Sequence, residues 1–532
     1  MPLQGQIRRQ DLTAVFTRAY LDVVQELIKV ESPGLAVFGD KSDLVNWGKG
    51  HRADFPTRQM AKRGIVGGST GRIPRGGRPT FNMAHFRAKI FRLAIQYDWD
   101  ALYEATNERY IANLVKQAMG DVKAQWLRRM NTHMYAHGGV LARLSHEAGP
   151  GNATGLANNQ VRCVLNVPDG LAYATATGTQ AVGTHLNEHG RPGTDLAARN
   201  ACVPYGALWL QVGDYIAIGQ MDGAGADDVT ELVEIRQITA IDRTAYGAAV
   251  GSQWATITLD RDLTQAFSGD RSVIVWASPS DADVAADATH LASAADVRIE
   301  DTDFAADHEG TAGDTSSCLP GLENIINPSF SHTTHDDYLA IETDNLWGSE
   351  VSTAADEAGG TAGTAIALNF DRIEAHLMTL NARRYKRPNV MFMNPGLWLE
   401  WVSTTKGGGG DGATPGHSYS TTNASSLTGG PGTPATNQVY SSVNVVTGVG
   451  SMNVIIDPYC PPETIYAVNT GDVGYMTRVP LGVANDDGSE FRFSNSGYDD
   501  LEAFLRTVKT FIAMHPAAVS KVCDISQPNV AL

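Results

Sequence analysis

Residues 64–79 read Gly64-Ile-Val-Gly-Gly-Ser-Thr-Gly-Arg-Ile-Pro-Arg-Gly-Gly-Arg-Pro79. Glycine and arginine dominate this run and few apolar side chains are available to bury, so it cannot make a core and reads as a loop tip. On its near side, residues 35–63 show no sustained helical period and resemble an extended arm with short strand-like pieces. On its far side, residues 81–96 alternate as a returning strand, with Phe81, Met83, Phe86, Ala88 and Ile90 set against Arg87 and Lys89. The expectation is a long hairpin, an extended loop over residues 51–96. Between His51 and Arg92 ten Lys/Arg face a single acid, Asp54, while the whole chain carries a formal net charge of -17. One cationic segment therefore sits on an anionic body.

The segment after the hairpin carries the strongest periodic signal. Ile111, Leu114, Val115, Ala118, Val122, Trp126, Met130 and Met134 recur every three or four residues, with no proline between Asp98 and Gly138. This predicts a long helix buried along one stripe and closed by Gly138-Gly139. At about 1.5 Å per residue it spans roughly 50 Å, long enough to act as a spine for other elements.

Upstream, Leu12, Val15, Phe16, Ala19, Val23, Leu27 and Val30 predict an amphipathic helix over residues 11–30, ended by Ser32-Pro33-Gly34. Downstream, strand-like runs at 208–218, 232–241, 254–259 and 272–276 predict a small antiparallel barrel or sandwich. The acidic, alanine-rich residues 281–314 read as a linker or mobile loop. Phe370, Ile373, Leu377 and Leu380 predict a second amphipathic helix, followed by Arg387-Pro388, a strand at 390–394 and a short helix at 397–402. Residues 407–436 form a Gly/Ser/Thr loop that cannot pack by itself. Strands at 452–457 and 464–468 follow. In the closing segment 501–514, Phe504, Val508, Phe511 and Ile512 are expected to pack while Arg506 and Lys509 face water. The fold class is α+β.

Composition bounds the function. The chain has 532 residues, 42% hydrophobic and 19% charged, with 54 glycines, as expected of a folding chain with several lobes or one fold carrying insertions. The start, Met-Pro-Leu-Gln-Gly-Gln-Ile-Arg-Arg-Gln, lacks the apolar stretch of a signal peptide, and no run reaches the roughly 20 apolar residues of a membrane span. A protein made and kept in the cytosol is expected. Cys163, Cys202, Cys318, Cys460 and Cys523 are far apart, with no CxxC pair, which argues against disulfides or a zinc site. Without a secretory signal, the sequons at Asn152 and Asn423 read as chance.

Motifs for chemistry are incomplete. Residues 34–42 nearly spell a phosphate-binding GxxxxGKS, but Asp40 stands before Lys41 and would oppose a phosphate. Gly67-Gly-Ser69-Thr-Gly71 matches GxSxG without the strand and helix a nucleophile elbow needs. His332, His335, Asp336 and Asp337 lack a second ligand cluster, and Asp301 and Asp303 lack the rest of a calcium loop. No catalytic residue, metal or cofactor is assigned. The basic hairpin has two readings, phosphate neutralisation and docking onto the acidic surface of a neighbouring copy. The second is favoured, because the segment lacks interleaved aromatics for base stacking and the rest of the chain is acidic.

The order of segments resembles the major capsid proteins of tailed bacteriophages, whose fold is shared by herpesvirus capsid floor domains and encapsulin shells. The residues that carry it are the arm, the basic loop from Arg52 to Arg92, the spine helix after it, residues 368–394, Ile455-Ile456-Asp457-Pro458, Thr464-Ile465-Tyr466 and the closing segment 504–515. The resemblance implies an N-terminal arm (1–50), an extended loop (51–96) and a peripheral domain with the spine helix (97–200). It further implies an acidic linker and peripheral-domain return (281–365), an axial domain (366–500) and a C-terminal return (501–532), while the β-barrel-like residues 201–280 depart from the family pattern and read as an inserted domain. It implies a non-enzymatic subunit that self-assembles as hexamers and pentamers into an icosahedral virion capsid around double-stranded DNA, in the host cytoplasm. Arg58, Lys62, Arg63, Arg72, Arg75 and Arg78 would contact a neighbour, and Ile111, Leu114, Val115, Ala118, Trp126 and Met130 would pack the spine. Some family members cross-link a loop lysine to a neighbour's asparagine, which makes Lys62 and Lys89 candidates by location. Partners implied are a scaffolding protein, a portal and decoration proteins. The scaffold is expected to be separate, because no long charged leader precedes the arm. Alternatives are an encapsulin-like compartment and a soluble hydrolase using Ser69 or the His332 cluster.

Overall fold

A computed structural model of the chain describes residues 33–48, 52–60, 80–98, 124–135, 140–144, 147–152, 156–164, 174–175, 178–179, 209–220, 232–242, 254–267, 272–276, 321–326, 337–338, 341–342, 348–352, 366–368, 370–383, 387–406, 443–447, 450–461, 464–483, 491–493, 500–523 and 525. The helix predicted at 11–30, the hairpin tip, the linker at 281–314 and the loop at 407–436 lie outside the described residues. Among the described residues, no helix is long and apolar enough to cross a membrane.

The N-terminal described segment holds helix α1 (Pro33–Val37), a single 3-10 turn (Ser42–Leu44) and strand β1 (Asn46–Trp47). Proline at the first helical position loses no bond, since its missing N–H would be unpaired there anyway. Pro33 thus begins a helix where a helix end was expected. Strands β2 (Arg52–Met60) and β3 (Thr80–Arg87) form the antiparallel hairpin, Arg52 opposite Arg87 and Phe55 opposite Ala84, with β1 on the outer edge of β2.

The returning leg is two strands rather than one. After Ala88 the chain leaves the hairpin as β4 (Lys89–Asp98) and pairs along its full length with the closing strand β22 (Asp500–Ala513). The other edge of β22 carries β20 (Val473–Val483) and the short β21 (Phe491–Phe493). Asp98 ends a strand, and the described part of the predicted spine is helix α2, residues 124–135.

After α2 come β5 (Val140–Arg143), β6 (Gln160–Val164), a two-stranded ribbon of β7 (Ala174–Thr175) and β8 (Gly178–Thr179), then β9 (Tyr215–Gln220), β10 (Leu232–Asp242), β11 (Trp254–Leu259) and β12 (Ser272–Trp276). Six of these form an antiparallel sheet in the order β5-β12-β9-β10-β11-β6, and a Leu144–Cys163 bridge brings its two edges together as a barrel. Alternate side chains point inward, so Ile216, Ile218, Ala255, Ile257, Leu259 and Ile274 fill one interior with Leu141, Val161 and Phe267. The sheet reaches back to Val140, so residue 201 is not its boundary.

The central sheet is mixed. It runs β15 (Glu350–Ser352), β23 (Val519–Val522), β19 (Ile465–Val468), β16 (Val390–Met393), β18 (Gly450–Ile456) and β17 (Val443–Thr447), with β15∥β23 and β16∥β18 parallel and the rest antiparallel. Val-Met-Phe-Met and Ile-Tyr-Ala-Val are apolar at every position because both faces are covered. On one face Met391, Met393, Ile465 and Ala467 meet Ile373, Leu377 and Leu380 of helix α4 (Phe370–Arg383) and Leu397 and Trp401 of α5 (Pro395–Lys406). On the other, Val390, Phe392, Ile455, Tyr466 and Val468 share a core with α1, α2, helix α3 (Leu322–Ile326), the hairpin root and the long sheet. A separate ribbon pairs β13 (Asp337–Tyr338) with β14 (Ile341–Glu342).

Candidate assembly interface

The hairpin is buried at its root. Ala53 and Phe55 of β2 and Ala84 and Phe86 of β3 face the main core, while Met83 on the opposite face is 57% exposed. Among the described residues β2 has no strand partner on its outer edge beyond β1, and Pro56 lies there, where a missing N–H costs no ladder bond. Of the basic residues predicted to reach a neighbour, Arg58 lies in β2 opposite Phe81, and Lys62, Arg63, Arg72, Arg75 and Arg78 lie outside the described residues. Lys89 begins β4 opposite Lys509, placing that cross-link candidate in the long sheet rather than in the loop. Of the spine residues, Trp126 and Met130 are buried on α2 in the main core, and Ile111, Leu114, Val115 and Ala118 lie outside the described residues.

Helix α2 joins the main core to the barrel. Its apolar stripe, Trp126, Leu127, Met130 and Met134, enters the main core. Trp126 meets Phe91 of β4 edge-on at 5.4 Å between ring centroids, and His133 faces the same ring at 6.4 Å. Burial holds the His133 imidazole down to about 3, helped by the Arg129 charge, so it is neutral in the folded protein. On its other side α2 carries the barrel. The Arg128 and Arg129 guanidinium carbons lie 4.8 and 5.4 Å from the Trp276 ring centroid, and Trp276 Nε1 donates to Thr132 Oγ1 at 3.3 Å. Arg128 also pairs with Asp214 and donates to Gln211 Oε1 at 2.7 Å. Trp209, at the entry to the barrel, stacks on Tyr459 after β18 at 4.9 Å.

Lys509 departs from its expected place in water. Its Nζ lies 4.9 Å from the ring centroids of both Trp126 and Tyr475, and burial lowers it to about 8 against the opposing pull of Asp40. Two buried polar centres have no motif in the sequence. Glu323 of α3 accepts from the Tyr466 hydroxyl at 2.5 Å and from Lys521 Nζ at 3.2 Å. Asp457, at the end of β18, accepts from Tyr135 Oη at 2.9 Å and from the Tyr459 N–H at 2.9 Å. The visible signal was a single acid closing the apolar run Val454-Ile455-Ile456, a charge that burial leaves nowhere to go.

Gly39-Asp40-Lys41-Ser42 lies along β20, where the Lys41 N–H donates to the Tyr475 carbonyl at 2.8 Å and Ser42 Oγ to the Thr477 carbonyl at 2.8 Å, so it is a strand-edge contact and no phosphate loop. Ser69, His332, His335 and Asp336 lie outside the described residues, and Asp337 begins β13. Among the described residues, no group of three His, Cys, Asp or Glu is placed to hold a metal ion. Cys163, Cys460 and Cys523 are buried, and Cys523 Sγ lies 3.4 Å from the Ser352 carbonyl oxygen.

No family model and no curated protein matches the chain. Solved structures are similar to it along its length. A cyanophage A-1(L) capsid asymmetric unit aligns over 94% of this chain and 94% of its own, at 12% identity and a TM-score of 0.43. A satellite phage P4 procapsid aligns over 95% and 90%, at 8% identity and a TM-score of 0.32. The SrpI encapsulin of Synechococcus elongatus aligns over 31% and 52%, at 11% identity and a TM-score of 0.20. At such TM-scores these likenesses assign neither residue roles nor activity.

Proposed function

We propose that the chain is a non-catalytic, self-assembling subunit of an icosahedral phage capsid. The observation that carries this reading is the hairpin. Its root is core, its paired strands run on to Met60 and Thr80, and its tip sequence holds basic and glycine residues with little to bury. In this reading such an element serves a neighbouring copy. Cationic charge on an otherwise acidic chain suits the surface of a second copy, where complementary potentials set register and speed encounter. Many such contacts, each modest, close by symmetry into a shell.

In this reading, residues 1–50 are the arm and the extended loop ends near Ala88, since β4 belongs with β20, β21, β22 and α2 in a peripheral domain. The central sheet with α4, α5 and residues 407–436 forms the axial domain, around which hexamers and pentamers assemble. The barrel is an insertion borne on the spine helix, so it projects from the shell or braces capsomers. Scaffolding, portal and decoration proteins are the expected partners, and DNA is enclosed without sequence reading.

The test is negative-stain microscopy of the purified chain and of a variant with Arg72→Glu, Arg75→Glu and Arg78→Glu. Closed shells or capsomer rings from the parent, lost in the variant while circular dichroism is unchanged, support the proposal. A dispersed parent, or a variant that assembles normally, contradicts it.

A further inference from the structure

We infer that residues 33–45 form a strap across the junction of the central and long sheets, clasped by Asp457, and that the strap holds best when the Asp457 carboxyl is protonated and loosens as it ionises. The inference does not depend on the shell proposal.

The strap is seated at three points. Gly34 lies directly on Asp457: a Cβ there would collide with Oδ2 and stand only 2.7 Å from Met134 Cε and 3.2 Å from Tyr135 Oη. Phe38 sits between two sheets, 5.4 Å from the Phe392 ring and 5.0 Å from Phe511. Residues 39–42 cover the free edge of β20, with Lys41 N–H to Tyr475 O at 2.8 Å, Tyr475 N–H to Gly39 O at 3.2 Å and Thr477 N–H to Ser42 Oγ at 2.7 Å. Gly474 permits that approach, since a Cβ would lie 2.5 Å from the Gly39 carbonyl oxygen.

The clasp is a fully buried carboxylate whose donors are all neutral. They are the Tyr135 hydroxyl from α2, the Gly34 N–H from the strap and the Tyr459 N–H from its own turn. Cys460, on the same turn, is a buried thiol that Asp457 and Glu323 push up further. Tyr466 of β19 lies 5.6 Å from Tyr135 ring to ring and spends its hydroxyl on Glu323, whose charge Lys521 of β23 balances. Burial pushes Asp457 from 3.8 up to about 6, against the three donors. Lifting the strap admits water to the carboxyl and returns it toward 3.8. Between those values the closed state binds more protons than the open one, so closure weakens as pH rises, by at most about a hundredfold at tenfold per pKa unit. His133, on α2 itself, titrates with the opposite sign, because its folded value is lowered.

Hydrogen exchange of the full-length chain between pH 4.5 and 7.5, corrected for the intrinsic rate and referenced to β9, reads the strap directly. The expected result is protection of residues 34–45 that falls by up to about thirtyfold from pH 4.5 to 7.5, most of it below about pH 6. Asp457→Asn should flatten that dependence, Tyr135→Phe should move its midpoint upward, and Gly34→Ala should leave the strap unprotected at every pH with β9 intact. Flat or rising protection in the parent chain overturns the inference whether or not the variants fold, and so does a dependence that survives Asp457→Asn.

Discussion

The central sheet and the barrel each have six strands, yet they solve burial in opposite ways. The barrel encloses one apolar interior and joins the rest through α2 and Trp209, by polar and ring contacts that include Arg128 and Arg129 on Trp276, the Arg128–Asp214 ion pair, hydrogen bonds to Gln211 and from Trp276, and the Trp209–Tyr459 stack. The central sheet is covered on both faces, and one of its cores runs without a break into the strap, α2, the hairpin root and β22. The barrel is therefore separable in energy and the central sheet is not. A lesion in the central sheet should spread across elements far apart in sequence, whereas one in the barrel should stay local.

The largest expected contrast comes from Phe392→Ala. Its ring touches Phe38 and Tyr135, so the cavity should cost roughly 3–5 kcal/mol in denaturant unfolding and lower hydrogen-exchange protection in α1, α2 and β22 together. Phe267→Ala should lower protection in the barrel strands alone. If Phe392→Ala left α2 and β22 protected, the continuity of the core would be refuted.

The two buried ion pairs sharpen the same contrast. Lys521→Met strands Glu323 with one hydroxyl donor and should cost roughly 3–5 kcal/mol. Arg236→Met should cost only about 1–2 kcal/mol, because Glu234 still accepts from Thr264 N at 2.9 Å, Thr264 Oγ1 at 2.7 Å and Gln265 N at 2.8 Å. Equal losses in urea titrations would mean that the loop donors contribute nothing.

Acid should act on the α2 side of that division. His133 takes up its proton at 6.5 when unfolded and at about 3 when folded, so its contribution is complete above pH 6.5 and falls by roughly 1.4 kcal/mol per unit as pH drops toward 3. Asp457 opposes this between about 6 and 3.8, where the folded state binds the extra proton. The urea midpoint of the parent should thus vary weakly from pH 6 to 4, and that of His133→Phe should rise as pH falls over the same range. A midpoint that falls in the variant would contradict the assignment. Smallest is Arg128→Ala, expected to release the barrel from α2 by about 1 kcal/mol, seen as faster proteolysis near residues 136–139 with β9 to β12 still protected.

Periodicity made the local elements legible. Trp254–Leu259 and Ser272–Trp276 are strands at the residues their alternation indicated, and Phe370, Ile373, Leu377 and Leu380 mark α4. What stayed hidden depends on partners distant in sequence. Nothing local to Lys89–Asp98 says that it leaves the hairpin to pair with Asp500–Ala513, because either neighbour satisfies an alternating strand. Val140–Arg143 and Gln160–Val164 are too short to announce a barrel whose other strands begin at Tyr215. Lys509 looked solvent-facing because its sequence neighbours do not include Trp126 or Tyr475, the rings that cover it. The buried centres at Asp457 and Glu323 are likewise defined by contacts spanning hundreds of residues, which no window along the chain contains.

Among the described residues the hairpin strands run past the buried root to Met60 and Thr80, and the role proposed for them is assembly. Microscopy of the parent chain beside the variant with Arg72→Glu, Arg75→Glu and Arg78→Glu tests this most directly. Closed shells or rings from the parent and folded, unassembled subunits from the variant are the predicted pair. Shells of equal yield from both, or a parent that stays monomeric, would contradict it.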